Sequence, residues 1–217
     1  MASLFEKYRP RTFDDVLGQD KAIARIKTVL AKGWGGRAWW ITGESGTGKT
    51  TLARIIAAQG ADAFCTDEMD HARELTVLRV RELERTLHLY GWGKGWRAII
   101  INEAHGLRRD VVECFLNLLE RLPEHACILF TTTKAGRDKL FDDMDDAGPL
   151  LSRCLNIELT SRGLADLFAQ RVQAIAQAEG LDGKPLERYK RLAQDCRNNM
   201  RAMLCAVESG TMMTEGN

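Results

Sequence analysis

The chain has 217 residues, 45% of them hydrophobic and 28% charged, and its 31 basic and 30 acidic side chains leave a net charge of +1. That length suits one α/β domain of ordinary size with a small appendage, and that composition reads as soluble and globular rather than disordered. A near-neutral charge excludes a protein that coats nucleic acid by bulk charge alone, and no apolar run approaches the ~18 residues of a membrane span.

The first residues, Met1-Ala2-Ser3-Leu4-Phe5-Glu6-Lys7, lack the basic-then-apolar order of a secretory signal. Six cysteines stand at 65, 114, 127, 154, 196 and 205, none in a C-x-x-C pair. A zinc ribbon is therefore not expected, and free thiols in a reducing cytoplasm are. Residues 1–19 read as polar and extended, with Pro10 pushing Arg9 out of the helical region. Residues 20–32 carry Ile23, Ile26, Val29 and Leu30 at helical spacing, and Gly33 to Gly36 break that helix. Ala38-Trp39-Trp40-Ile41-Thr42 reads as a short buried strand on which Trp39 and Trp40 alternate, so that one of them faces the core. A glycine-rich turn and a helix over 50–58 follow.

A second strand is expected over 62–66 and a charge-rich helix over 77–89. Gly91-Trp92-Gly93-Lys94-Gly95-Trp96 reads as a mobile aromatic and basic loop that either packs structurally or stacks on a base or a partner. Residues 97–101 read as a strand, 109–122 as an amphipathic helix stopped by Pro123, and 126–132 as a further strand. The acidic run Asp142-Asp143-Met144-Asp145-Asp146 reads as a solvated loop rather than a metal site. A fifth strand is expected over 155–159, then helices over 161–180, 186–197 and 199–209 with no strand between them. Alternating strands and helices predict an α/β fold with a parallel sheet in residues 1–160, and the helical run predicts a small second domain in 161–217.

Gly43-Glu44-Ser45-Gly46-Thr47-Gly48-Lys49-Thr50 fits G-x-x-x-x-G-K-[ST] at every fixed position, between a predicted strand and a predicted helix. Glycines let consecutive main-chain N–H groups curl around an anion, and the helix N-terminus adds partial positive charge. Lys49 would reach the β- and γ-phosphates of ATP, and the Thr50 hydroxyl would ligate Mg²⁺. The nucleotide-binding assignment runs from Gly43 through Thr51. The competing reading, a glycine-rich turn with a surface lysine, does not account for the flanking strand and helix.

P-loop enzymes hold Mg²⁺ with an aspartate at the end of a neighbouring strand. Here the apolar run Ala98-Ile99-Ile100-Ile101 ends in Asn102-Glu103-Ala104-His105. Glu103 is suited to polarise the attacking water as a general base. Asn102 takes the usual aspartate position. Its amide can hydrogen-bond a metal-bound water but brings no charge, which predicts weaker Mg²⁺ organisation and slow hydrolysis. The blander reading makes Asn102 a strand-end turn residue and Glu103 a surface charge. His105 is read as a structural hydrogen-bonder.

With these motifs in place the sequence resembles a DNA sliding-clamp loader subunit of the AAA+ class, either the bacterial gamma/tau subunit of the polymerase III holoenzyme or a small subunit of replication factor C. The likeness runs from about residue 6 to about residue 204. Glu6-Lys7-Tyr8-Arg9-Pro10, with Phe13, Val16 and Gly18-Gln19, resembles the family's N-terminal box, which implies that Arg9, Pro10, Val16, Gly18 and Gln19 pack against the adenine. The stretch from Asn102 through Leu107 to Glu120, Pro123-Glu124-His125 and Thr131-Thr132-Thr133 follows the gamma/tau pattern, which implies that Thr133 senses the γ-phosphate. Ser152-Arg153-Cys154 matches the motif whose arginine finger reaches a neighbouring subunit's ATP. A permanently charged, forked guanidinium suits that task, although alone Arg153 is only a surface arginine before a strand. Asn199-Met200-Arg201-Ala202 resembles the sensor-2 motif, which implies that Arg201 touches the phosphates.

The resemblance implies a P-loop AAA+ fold with a C-terminal helical lid, ATP and Mg²⁺ as cofactors, and a homo- or hetero-oligomer of AAA+ subunits. It also implies ATP-driven loading of a sliding clamp onto primed double-stranded DNA. Arg108 and Arg109 are candidates for DNA phosphate contacts, against the equal alternative of an ordinary solvated helix start. Asn102, the missing zinc-type cysteines between 60 and 75, and the acidic stretch around 142–148 depart from the family. Its members also continue into a helical collar domain, which this sequence is not expected to build. Two other classes stay open: a regulatory or structural subunit that binds ATP and donates Arg153 without efficient turnover, and another AAA+ DNA remodeller such as a helicase loader or a junction-migration motor.

Overall fold

The computed structural model describes residues 3–133, 136, 138 and 147–213; the acidic run 142–146 lies outside them. Two units are distinguished. The larger comprises Lys21–Gly43 and Lys49–Leu159. The smaller comprises the described residues up to Asp20, the short segment Glu44–Gly48, and the residues from Thr160 onward.

The larger unit is built on a sheet of β1 (Arg37–Thr42), β2 (Thr66–Met69), β3 (Arg97–Ile101), β4 (Ala126–Thr132) and β5 (Cys154–Glu158), in the order β2-β3-β4-β1-β5. Every neighbouring pair is parallel. Parallel neighbours need long crossovers, which put helices on the sheet faces and make the central strands apolar on both sides. The helices here are α2 (Asp20–Leu30), α3 (Lys49–Gly60), α4 (Val77–Leu87), α5 (Arg109–Glu120) and α6 (Ala147–Ser152). On one face Trp40, Ile99, Ile101, Ile128 and Phe130 pack with Val80, Leu83, Phe115 and Leu150 from α4, α5 and α6. Trp40 lies 5.3 Å from Phe130, which meets Phe115 edge-on at the same separation. The alternate residues Trp39, Ile41, Ile100 and Leu129 are also fully buried, and α3 contacts β1, β3 and β4. The expectation that one of Trp39 and Trp40 faces the core is thus corrected: a strand covered on both faces buries both.

The strand expected over 62–66 starts four residues later. Ala63–Cys65 is a single 3₁₀ turn, closed by Cys65 N–H to the Asp62 carbonyl at 2.9 Å. The strand is the polar Thr66-Asp67-Glu68-Met69, paired in register with β3. After α4, Gly91 N–H closes the 91–96 loop on the Gly95 carbonyl at 2.9 Å, and Lys94 donates to the Ala58 carbonyl at 2.6 Å. Trp96 packs edge-on against Trp34, whereas Trp92 is 80% exposed.

The smaller unit gathers α1 (Leu4–Lys7), α7 (Ala165–Ala178), α8 (Leu186–Asp195) and α9 (Met200–Glu208) around Leu4, Leu164, Phe168, Val172, Tyr189 and Leu204. The extended reading of residues 1–19 is corrected here. Leu4 is buried in that core, α1 forms, and a 3₁₀ turn follows over Phe13–Asp15. Asp15 accepts from the Thr12 N–H at 3.0 Å and the Thr12 hydroxyl at 2.7 Å, which satisfies the donors that open the turn. The last three helices also begin or end short of their expected limits, because Asn199 caps α9 by accepting from Ala202 N–H and α8 stops at Asp195.

Candidate nucleotide site

The loop Gly43–Gly48 joins β1 to α3, at the carboxyl end of a strand that lies inside the sheet. Its first N–H, on Gly43, reaches the Thr132 carbonyl at the end of β4 at 3.3 Å. Within the loop the Thr47 hydroxyl donates to the Glu44 carbonyl at 2.8 Å, which tightens the turn. Gly46 has φ 76° and Gly48 has φ 96°, a region that side chains avoid. At Gly46 space is also decisive, because a β-carbon there would fall 1.9 Å from Asn199 Oδ1. Lys49 then opens α3, only 8% exposed, followed by Thr50 and the equally buried Thr51.

Asn102, at the end of β3, is the centre of a hydrogen-bond network in the larger unit. Its Oδ1 accepts the Thr50 hydroxyl at 2.9 Å and the Thr131 hydroxyl at 2.8 Å. Its Nδ2 donates to Glu68 Oε1 at 2.9 Å. Its main chain is pinned as well, N–H to the Met69 carbonyl at 2.8 Å and carbonyl from Ala72 N–H at 3.0 Å. Glu68 in turn receives Arg54 through Nε at 2.7 Å and Nη2 at 3.1 Å. Asn102 is 7% exposed, so these bonds answer the cost of burying an amide.

This donor set fits Mg²⁺ in one way. The Thr50 hydroxyl gives its proton to Asn102 and keeps oxygen lone pairs for a cation. The Asn102 oxygen already accepts two hydroxyls. Among the described residues no group of three His, Cys, Asp or Glu could hold a metal ion. A divalent cation brought in with a polyphosphate, the usual mode for Mg²⁺, could take Thr50 as a protein ligand, with Asn102 orienting Thr50.

Glu103 follows in a left-handed conformation, φ 54° and ψ 44°, which costs about 1–2 kcal/mol for a residue with a side chain. Its Oε2 lies 3.4 Å from His105 Nδ1, and that nitrogen is 3.1 Å from the Thr132 hydroxyl. Thr133 Oγ1 accepts the Gly136 N–H at 3.0 Å. Arg153 is engaged within its own unit, donating to Glu120 at 2.7 Å and to the Pro149 carbonyl at 3.0 Å. Arg108 pairs with Asp110 at 3.4 Å, and Arg109 Nε is 4.0 Å from Glu113, both on exposed helix surface.

In the smaller unit, Arg9 pairs with Glu6, and Arg201 lies over the Phe5 ring at 5.1 Å. Pro10, Val16 and Gly18 are half-buried. Gln19 is buried and doubly bound to Thr160, donating to its carbonyl at 2.8 Å and accepting from its N–H at 3.1 Å. The structure thus brings Thr50 to Asn102, and Glu103 to His105. Sequence reasoning missed Glu68, Thr131 and the fit of Asn199 against Gly46. No motif marks Glu68, and Thr131 stood in the Thr131-Thr132-Thr133 pattern with no role assigned; the pairing of β2 and β4 with β3 brings both to Asn102.

A phosphate-cradle loop between a strand and a helix of a five-stranded parallel sheet defines a P-loop nucleotide-binding protein. Residues 40–161 match the family described as ATPase family associated with various cellular activities (AAA), and the chain belongs to that family. It is 26% identical to the DNA polymerase III subunit gamma of Buchnera aphidicola subsp. Baizongia pistaciae (strain Bp), over 99% of this chain and 61% of the relative. It is 27% identical to the DNA polymerase III subunit tau of Escherichia coli (strain K12), over 98% of this chain and 35% of that protein. The chain therefore spans about three fifths of the gamma subunit and about a third of tau. Among solved structures, a Thermotoga maritima RuvB variant superposes with a TM-score of 0.72 at 17% identity, over 93% of this chain and 64% of that one. At that identity the likeness shows the fold alone. A DNA polymerase III gamma subunit-related protein of Thermotoga maritima matches with a TM-score of 0.54 at 13% identity, over 85% of this chain and 70% of that one. Among the described residues no helix is long and apolar enough to cross a membrane.

Proposed function

We propose that the chain binds and hydrolyses ATP as one subunit of an oligomer of AAA+ subunits that places a sliding clamp on primed double-stranded DNA. The observation that carries the reading is the cradle loop running into α3, where Thr50 is tied to the ends of β3 and β4 through Asn102 and Thr131. The gamma and tau names of its relatives support a role in DNA replication.

In this reading the main-chain amides of residues 43–48 and the Lys49 ammonium take the phosphates, and Thr50 turns its lone pairs toward the cation. Thr50 would hold Mg²⁺, which would supply charge neutralisation for the phosphates. Glu103 takes the proton of the attacking water, with His105 beside it. Thr133 and Arg201 report the γ-phosphate, and Arg9, Pro10, Val16 and Gly18 frame the base. Gln19, with both ends of its amide committed to Thr160, contributes as framework rather than as a direct ligand. Arg153 leaves Glu120 to serve the nucleotide of the next subunit. Output follows because contacts to the γ-phosphate differ before and after hydrolysis, and only such a difference shifts a conformational equilibrium. Residues from 161 onward act as the lid, and Arg108 and Arg109 meet DNA phosphates.

The neutral amide at 102 favours a second reading: a subunit that binds ATP and donates Arg153 but turns over slowly. One set of measurements separates the two. Nucleotide binding is measured with Mg²⁺, then steady-state phosphate release with and without primed DNA and a sliding clamp. Turnover stimulated by DNA and clamp supports the loader. Tight binding without turnover selects the regulatory subunit, and failure to bind any clamp together with capture of a hexameric helicase points to a helicase loader. A well-folded chain with no saturable nucleotide uptake ends both readings.

A further inference from the structure

We propose that Glu68 is a positioning residue for the nucleotide and Mg²⁺ site, and that it acts by setting which way the Asn102 amide faces. The inference rests on the nucleotide-site reading and extends it to a residue on the neighbouring strand.

Among the described residues the Asn102 side chain has three hydrogen-bond partners: Thr50, Thr131 and Glu68. A threonine hydroxyl both donates and accepts, so Thr50 and Thr131 would satisfy an amide oxygen or an amide nitrogen. A carboxylate only accepts. Glu68, 2.9 Å away, is therefore the one partner that discriminates, and it draws Nδ2 toward β2 and leaves Oδ1 for the hydroxyls. Arg54 holds Glu68 in that place with two N–H groups. The consequence falls on Thr50. With Oδ1 facing it, Thr50 donates its proton and keeps its lone pairs. With the amide reversed, Thr50 would have to accept from Nδ2 and spend on the protein a lone pair that a cation needs.

The same geometry explains why asparagine suits this position. An aspartate there would set oxygen against oxygen at the Glu68 contact. A carboxylate on β3 becomes compatible only when the β2 residue can donate, as a glutamine does through its amide nitrogen while its oxygen still accepts from Arg54. Glu68 and Asn102 therefore form a matched pair in which the carboxylate stands on β2 and the amide on β3.

The test is a cycle of E68Q, N102D and E68Q/N102D, read by thermal unfolding without nucleotide and by mant-ATP binding in Mg²⁺ and in EDTA. E68Q is expected to leave Tm within about 2 °C of the parent, because a glutamine keeps one bond to Arg54 and one to Asn102. It is expected to weaken binding in Mg²⁺ by about three- to tenfold, the worth of one hydrogen bond, while leaving binding in EDTA unchanged. N102D alone is expected to lower Tm by about 2–6 °C. The double variant is expected to regain both Tm and Mg²⁺-dependent binding, because the new amide on β2 donates to the new carboxylate on β3 and Thr50 again faces an oxygen. A merely structural role for Glu68 would shift Tm and leave the ratio of the two binding constants alone. The proposal is overturned if E68Q binds in Mg²⁺ like the parent, or if the double variant unfolds no higher than N102D or binds in Mg²⁺ no better than E68Q. A folded parent that takes up no mant-ATP at all overturns the nucleotide-site reading and this inference together; uptake that is indifferent to E68Q overturns this inference alone.

Discussion

At the scale of single residues, the proposed chemistry separates binding from turnover. Lys49 stands first in α3 and is nearly buried. Its truncation removes a charge-assisted contact to phosphate, so Lys49→Ala should weaken nucleotide binding by about 10- to 100-fold, read by fluorescence titration. Glu103→Gln keeps the side chain's shape and removes the base. Binding should stay within about threefold, while turnover should fall by about 10²- to 10⁴-fold, read by phosphate release. Equal loss of binding in both variants would reassign Glu103 from proton transfer to scaffold. Thiol chemistry offers a check that does not depend on function. All six cysteines are free; burial pushes the Cys127 thiol far up and the Cys154 thiol up to about 12, whereas Cys205 is exposed. Thiolate is the reactive form. Native protein should therefore show fast labelling at Cys205 that disappears in Cys205→Ser, with Cys127 and Cys154 reacting only after denaturation.

At the scale of elements, the smaller unit makes a pH-dependent attachment. Lys7 and Tyr8, at the end of α1, both donate to Glu179 at the end of α7. Those hydrogen bonds, Lys7 first and Tyr8 second, hold the Glu179 carboxyl below its ordinary value of 4.5. Its contribution is complete above that ordinary value and disappears as pH falls through the lowered one. The Glu179 contact also raises Tyr8 above its ordinary value of 10.0, so Tyr8's contribution is complete below that value and disappears as pH rises through the raised one. Limited proteolysis across pH should find α1 protected between these limits and released at acid pH. Glu179→Gln should abolish the acid-side change; an unchanged profile in that variant would remove the contact from the account. Elements were unevenly legible. Apolar runs announced β1, β3 and β4 because central strands of a parallel sheet are buried on both faces. The four-residue β2 carries Thr66, Asp67 and Glu68, a polar stretch with no strand signal of its own, and exists by pairing with β3. Likewise α1 is too short to be stable alone and forms where Leu4 enters a core that later helices build.

At the scale of the whole molecule, the proposed partnership turns on Arg153. In the isolated chain its guanidinium is held by Glu120 and the Pro149 carbonyl. Delivery to a neighbour's nucleotide would require it to leave an exposed ion pair, a contact of about 0–1 kcal/mol that assembly can offset. Sedimentation with Mg²⁺ and a slowly hydrolysed ATP analogue should show an assembly heavier than the nucleotide-free protein. Arg153→Ala should still take up nucleotide, and its turnover should drop by about 10³-fold or more. Adding a Lys49→Ala subunit, which retains Arg153, should restore part of the activity in trans. No restoration on mixing would confine Arg153 to its contact with Glu120.

The residue string alone determined the cradle loop, the alternation of strand and helix, the helical character of the segment from 161, and the likeness to clamp-loader subunits. Each rests on signals read along the chain: the fixed glycines, lysine and threonine of 43–50 lie within eight consecutive residues, helical or strand periodicity is read within a window of one element, and the likeness is a succession of such short motifs. What only the tertiary structure decided is the identity of the groups around Asn102. Thr50, Glu68 and Thr131 come from three different elements and are separated from Asn102 by 52, 34 and 29 positions. Periodicity within an element cannot say which strand lies beside which, and it is that adjacency, β2 with β3 and β3 with β4, that sets the Glu68 carboxylate on one side of the amide and the Thr131 hydroxyl on the other, while α3 brings Thr50.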